Sequence, residues 1–290
     1  GNTGLAAAEE PAEGGLMARP FVRLLGLILA TMLVVTSCNF TNDEEAGEPP
    51  ASLPVDNTSQ SDWLSLAPGV EYQSMPVVPY DGISFDMQIV RIEPAQARFQ
   101  IHYNPGQPFP LDEWYNRLEN PVVVINGGLF TPEHQALGLV VIDGQASGRS
   151  FPGFGGMFQI DQAGRVRLRS LVSEPYEGEA LTLALQSFPM LIEPDGFRAR
   201  TDEGFETPSR RSVIAQDRQG RLLLMVTDVF GTISFAELQS WLLESGLEVN
   251  IAFALDGGRS TGMVIRRPDE DPLVISALSD LPLVLAVYGR

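Results

Sequence analysis

Three apolar runs of strand length each stop on a short amide or acid. They are Val122-Val-Val-Ile-Asn126, Leu222-Leu-Leu-Met-Val-Thr-Asp228 and Ile251-Ala-Phe-Ala-Leu-Asp256. A continuous apolar run of this length predicts a strand covered on both faces, and the polar residue that ends it then sits at the rim of the core. Two of the runs continue into paired glycines, Gly127-Gly128 and Gly257-Gly258, which allow close backbone approach and leave amide donors open to a ligand. Arg259, Ser260 and Thr261 follow the second pair, a cation and two hydroxyls. Taken alone, Asp256-Gly257 between apolar runs is a hairpin signal. Three such strand ends in one chain are hard to ascribe to turns, and they predict a small polar-ligand site.

From Trp63 the apolar periodicity runs to the C-terminus without a linker-like stretch, which predicts one domain over residues 63–290. Ile83, Phe85, Met87 and Ile89 alternate with polar residues, as do Phe99, Ile101 and Tyr103, and both sets predict half-buried strands. Leu137–Ile142 reads as a further central strand. Phe158–Leu168 and Ile214–Leu224 each place D-x-x-G between apolar segments, the pattern of a short hairpin with glycine in the left-handed region. Ser234 and Glu237 form an S-x-x-E capping box, so a helix is predicted over Ser234–Ser245 with Gly246 as its stop. Phe235, Leu238, Trp241 and Leu242 share one face of it. A shorter helix is expected near Leu111–Leu118. Many strands and few helices predict an α+β fold: a mixed, largely antiparallel β-sheet with a few packed helices.

The N-terminal quarter reads differently. Residues 1–16 carry no core pattern and are set apart from the fold. Met17–Arg23 is short and basic, Leu24–Val35 is apolar, and Val35-Thr36-Ser37-Cys38 closes the run with small residues before the only cysteine. This is the layout of a secretory signal over residues 17–37, and the apolar run falls short of a membrane span. Its end resembles a bacterial lipobox, which makes Cys38 the expected lipidation site and the membrane an expected partner. Residues 38–62 are acidic, rich in proline and free of arginine, the composition of a flexible tether. The expected location is extracytoplasmic, lipid-anchored to the bacterial cell membrane.

Charge narrows the partners. The net charge is −18 and all 19 basic residues are arginine, so no basic footprint exists for nucleic acid. An anionic ligand would need a local guanidinium clamp. The chain has two histidines, His102 and His134, and no thiol beyond Cys38, which argues against a transition-metal site. No cofactor is expected. There is no G-x-S-x-G elbow, P-loop or H-E-x-x-H. Ser209-Arg210-Arg211-Ser212 places two arginines at a strand start, and Arg210 reads as solvated.

Asn126-Gly127-Gly128-Leu-Phe130, followed by Leu137-Gly138-Leu139 and Gly144, resembles the N-G-G-F-F … G-L signature of the phosphodiester glycosidase family. Ser187-Phe-Pro189-Met-Leu191 is similar to its g-P-x-L segment, and Arg211-Ser212 falls where that family has R-T. Asp228 falls at its D-G, and Leu255-Asp256-Gly257-Gly258 at its L-D-G-G-G-S-T. The family's third glycine is Arg259 here, the glycine after its strand aspartate is Val229, and Ser279–Tyr288 is similar to its shorter bacterial branch. The resemblance implies hydrolysis of a sugar-1-phosphodiester, such as an N-acetylglucosamine-1-phosphate diester, at the anomeric carbon. It implies Asp256 and Asp228 as the two carboxylates, with acid and base or nucleophile unassigned between them. Arg211, with Arg259, is the implied phosphate clamp. Asn126 and the amides of Gly127, Gly128, Gly257 and Gly258 are the implied sugar-orienting donors, beside Ser260 and Thr261. The competing expectation is a non-catalytic envelope lipoprotein that binds glycans or phosphoglycans, with Arg259 filling the sugar pocket.

Overall fold

Strand Leu222–Thr227 sorts its side chains with a period of two. Leu222, Leu224 and Val226 join one buried cluster, and Leu223 and Met225 join another. Both faces are covered, which is why the run is apolar until its end. The computed structural model describes residues 62–80, 82–200 and 204–290. The expected upstream segment, signal peptide and Cys38 lie outside the described residues, as does the tether up to residue 61.

Three sheets hold the described strands, and every pairing between them is antiparallel. The eight-stranded sheet runs in the order Leu64–Ala67, Val70–Val77, Phe85–Ile92, Leu222–Thr227, Ser212–Asp217, Val249–Ala254, Met190–Glu193 and Phe197–Arg198. A five-stranded sheet orders Gln145–Ser147, Val140–Ile142, Leu181–Ser187, Gly156–Asp161 and Val166–Ser170. The other five-stranded sheet orders Leu273–Ile275, Met263–Ile265, Val123–Asn126, Leu283–Gly289 and Ala97–Tyr103. The α+β expectation holds, with antiparallel pairing throughout where mixed pairing was allowed.

The sheets share one core. Ile214, Leu224 and Phe253 of the first meet Phe158 and Leu185 of the second and Phe99, Ile125 and Leu285 of the third. The first sheet's other face is covered by helix α2, Phe235–Glu244, through Leu238 and Leu242. Its capping box forms as the sequence predicts: Ser234 Oγ accepts from the Glu237 amide, and the Glu237 carboxylate accepts from the Ser234 amide. Helix α1, Leu111–Arg117, covers the third sheet, and the Trp114 indole donates to the Leu281 carbonyl at 2.7 Å. Thr58–Arg290 forms one compact unit that contains all three sheets.

Two strand expectations shift. Ile83 lies outside its predicted strand, because pairing closes at Val77 with Phe85 and leaves Ile83 in the connection between them. Leu137–Ile142 shortens to Val140–Ile142, one strand in from its sheet edge. The backbone at Gly138 is drawn under Gln186, whose carbonyl oxygen stands 2.8 Å from where a Cβ would be. The two D-x-x-G segments are hairpins: Asp161 and Asp217 each accept backbone amides across the turn.

Candidate active site

Register brings two of the three polar strand ends, Asp228 and Asp256, to one end of the eight-stranded sheet, while Asn126 ends a strand of the third sheet. Strand Ser212–Asp217 lies between Leu222–Thr227 and Val249–Ala254, with Ser212 opposite Val226 and Val213 opposite Ala254. Because both pairings are antiparallel, the start of the middle strand meets the ends of its two neighbours. Asp228 and Asp256 therefore follow strands two positions apart in the sheet, whose axes lie about 9.5 Å from each other. Arg210 and Arg211 lie between them.

The segment after Asp256 is no hairpin. Val249–Ala254 belongs to the first sheet and Met263–Ile265 to the third, so residues 256–262 cross between sheets, through a short 3-10 turn at Gly258–Ser260. Gly258 holds φ +59° there, a conformation that side chains rarely adopt.

Asn126 ties the crossover to both sheets. Its Nδ2 donates to the Asp256 carbonyl at 2.7 Å and to the Gly127 carbonyl at 3.2 Å. Its Oδ1 accepts from Ser212 Oγ at 2.7 Å and from the Gly262 amide at 3.1 Å. The side chain is fully buried and its hydrogen-bonding capacity is filled. In this arrangement Asn126 positions the site and has no free group for a sugar.

The two carboxylates differ. Burial pushes the Asp256 carboxyl up, against the opposing pull of hydrogen bonds from Ser260 and the Gly257 amide. Asp228 closes a turn: its Oδ1 accepts from the Phe230 and Gly231 amides at 3.0 and 2.6 Å, and its Oδ2 accepts from the Asp86 amide at 3.4 Å.

The arginines exchange their expected settings. Arg211 donates Nε to the Ile233 carbonyl at 2.9 Å and Nη2 to the Thr207 carbonyl at 2.6 Å, and its guanidinium stacks 3.6 Å over the Phe235 ring. Burial lowers its pKa to about 10. A planar bidentate clamp on phosphate is thus not available from this conformation; Nη1 is the corner that faces Gly257. Arg210, expected as solvated, is 6% exposed. Its Nη2 donates to the Ser276 carbonyl at 3.0 Å, while Nε and Nη1 are buried with no partner among the described residues. Asp228 supplies a nearby opposing charge. Period two could have found it, since Arg210 shares the inward face of Ser212. Arg259 turns outward, donating Nη2 to the Leu278 carbonyl at 2.5 Å and accepting the Leu278 amide on its own carbonyl at 2.6 Å.

Most of the expected amide donors are already engaged. Gly127 donates to the Leu283 carbonyl and Gly258 to the Arg210 carbonyl, both at 2.9 Å, and the Gly257 amide serves the Asp256 carboxylate. The reason is that buried main-chain amides without a ladder partner still need acceptors, and here strand-end carbonyls from elsewhere in the chain supply two of them. Ser260 and Thr261 are buried, Ser260 beside Asp256 and Ser279, Thr261 with a hydroxyl lacking a partner among the described residues. Ser187 is a residue that sequence reasoning left out of the site. Its buried Oγ also lacks a partner and lies 3.5 Å from the Cβ position of Gly128. A cavity of about 810 Å³ opens beside the next residues, against Phe154, Pro189, Met190 and Phe197, and the two aspartates do not line it.

The phosphodiester glycosidase family model matches residues 119–281. Among solved structures, the auto-inhibited catalytic domain of zebrafish N-acetylglucosamine-1-phosphodiester alpha-N-acetylglucosaminidase is similar, with a TM-score of 0.60 at 18% identity over 77% of this chain and 85% of that one. A hypothetical protein from Synechocystis is similar with a TM-score of 0.54 at 17% identity, over 77% of this chain and 62% of that one. No curated protein matches the chain.

Proposed function

The chain belongs to the phosphodiester glycosidase family, a family of hydrolases, and from that premise we propose that it cleaves sugar-1-phosphodiesters at the anomeric carbon, outside the cytoplasm and anchored through Cys38. The observation that carries the catalytic reading is the setting of Asp256. It is an acid at a strand end, with its carboxyl pushed up by burial, held by Ser260 and fixed through its main chain to Asn126. A carboxyl so raised is suited to protonate a leaving phosphate oxygen. We assign Asp228 as the second carboxylate, facing water or the oxocarbenium-like centre from two strands away. The bond from the anomeric carbon to the phosphate oxygen breaks as that oxygen takes the proton of Asp256; water adds at the anomeric carbon, giving up one proton to a carboxylate, and proton exchange with solvent restores the acid form of Asp256. Arg211 Nη1 and the Nε and Nη1 of Arg210, which lack partners among the described residues, supply positive potential near the phosphoryl group.

The N-acetylglucosamine preference follows from the zebrafish relative's name and from the motif resemblance. Anchoring follows from the basic, apolar and Val35-Thr36-Ser37-Cys38 segments. The binding-only alternative drew on Arg259 as an occluding side chain, and Arg259 is turned onto Leu278. Release of N-acetylglucosamine from its α-1-phosphodiester, measured for wild type and Asp256→Asn, tests the reading. Turnover in the wild type and loss of at least 1,000-fold in the variant are expected. Equal activity in both would refute the assignment of Asp256.

A further inference from the structure

Phe230, Tyr80, Ile83 and Val78 are 91%, 90%, 89% and 78% exposed. Val229, at 40%, adjoins Phe230. These side chains come from two places at neighbouring strand ends: residues 78–80 and 82–84, between Val77 and Phe85, and the turn that follows Asp228. The loops are joined. The Asp228 amide donates to the Asp86 carbonyl, the Asp86 amide donates to Asp228 Oδ2, and a Cβ at Gly231 would stand 2.5 Å from the Phe85 ring. They lie at the same end of the eight-stranded sheet as both candidate carboxylates. Single exposed apolar residues are ordinary, but a set of this size on adjoining loops marks an interaction surface.

Val78 and Tyr80 border a small cavity with Glu237 and Trp241, but side chains this exposed leave most of their surface facing outward and enclose little. They can enter an apolar layer. We infer that this rim is a membrane-facing surface that seats the sheet end, with Asp228 and Asp256, against the interfacial region of a lipid bilayer. The direction of the chain supports that occupant over others. Strand Leu64–Ala67 starts in mid-sheet, opposite Tyr72, and ends opposite Val70, so it runs away from the carboxylate end and the chain before it traces back toward that end. Residues 39–61 separate Cys38 from Asp62, a reach of about 80 Å at full extension. A lipidated Cys38 would therefore hold the exposed rim within reach of the bilayer that carries it. In this respect the inference rests on the anchored reading proposed above.

Charge fixes the type of lipid surface. The chain has no lysine and a net charge of −18, and Asp86, Asp228 and Glu237 border the two loops. Attraction to anionic lipid is excluded on that ground, so the contact is apolar, favours zwitterionic lipid and changes little with salt. The substrate class that follows is a sugar-1-phosphodiester held in the same membrane.

Flotation with phosphatidylcholine vesicles tests this directly. Thr58–Arg290 contains all three sheets and their shared core, so the chain from Thr58 isolates the rim from the anchor. It should float with the vesicles, equally at 0.1 and 0.5 M salt, and less when phosphatidylglycerol is mixed in. The triple variant Tyr80→Ser, Ile83→Ser and Phe230→Ser should partition at least tenfold less with an unchanged thermal midpoint, and the double variant Tyr80→Ser and Ile83→Ser, which leaves the Asp228 turn intact, should keep its turnover of a water-soluble diester. Absence of flotation, or flotation unchanged by the triple variant, would overturn the inference. So would a concentration-dependent dimer in ultracentrifugation that the triple variant abolishes, since a second copy would then be the occupant. Flotation does not use catalysis: a protein that floats but turns nothing over upsets the enzymatic reading and leaves this one standing.

Discussion

The side-chain nitrogen of Asn126 donates to the main-chain oxygen of Asp256 across 2.7 Å, joining the end of a strand in one sheet to the end of a strand in another. The same side chain receives Ser212 Oγ and the Gly262 amide. Removing it leaves several buried polar groups unpaired at once. We expect Asn126→Ala to lower stability by about 3 kcal/mol and to reduce activity beyond what partial unfolding explains, because Asp256 loses its support. Urea midpoints and kcat, measured at a temperature where both proteins are folded, separate the two effects. Asn126→Asp keeps the acceptor but loses the donor and should not restore either.

Asp256 should behave oppositely in stability and in activity. Its carboxyl is raised in the folded state, so ionising it penalises the fold. The penalty is absent below the usual aspartate range, grows as pH rises through that range, and is complete above the raised value. Asp256→Asn is therefore expected to be as stable as wild type at pH 3 and no less stable at pH 7. Activity should fall on the alkaline side as the acid form is lost. Thermal midpoints against pH, together with a kcat/KM profile, check both signs; a variant markedly less stable at pH 7 would contradict the burial argument.

Arg211 holds two main-chain carbonyls, of Ile233 and Thr207, and lies flat on Phe235. Lysine keeps the charge but not the planar fork. Arg211→Lys is expected to cost about 2 kcal/mol, seen as a shift in the urea midpoint. A pure phosphate-clamp role would instead raise KM and leave stability alone.

Arg259 is the conspicuous departure from the family's glycine run, and its side chain bonds the exposed Leu278 carbonyl. The reciprocal bond from the Leu278 amide uses the Arg259 main chain and survives substitution. Arg259→Gly should change stability by less than about 1 kcal/mol and kcat/KM by no more than about threefold. A large gain in activity would mean that the side chain blocks the pocket.

Much of the strand content, the α2 capping box and the two D-x-x-G hairpins were legible locally, because each depends on side-chain period or on bonds a few residues apart. The strand limit at Leu137 was not, since a strand far along the chain, Leu181–Ser187, sets it; the limit at Ile83 turns on where Val77 and Phe85 close their pairing, which side-chain period does not mark. The polar strand ends were visible as residues, and a shared polar site was expected of them; that Asp228 and Asp256 leave one sheet while Asn126 leaves another was not. Their working parts were misread where long-range contacts intervene. Asn126 looked like a sugar ligand and is a filled structural tie; Arg210 looked solvated and is buried beside the Ser276 carbonyl.

Apolar period and the spacing of glycine, asparagine and aspartate were enough to define the fold class, the family resemblance and the roster of candidate residues, because those follow from what each side chain can bury or bond nearby. Which guanidinium is free, which amides are taken, and which acid sits in a raised state depend on partners brought in from other sheets. The Asn126–Ser212 bond spans 86 positions and the Asn126–Asp256 bond spans 130. No local pattern encodes contacts of that separation, so the chemistry at Asp256 became definite only when three sheets closed on one core.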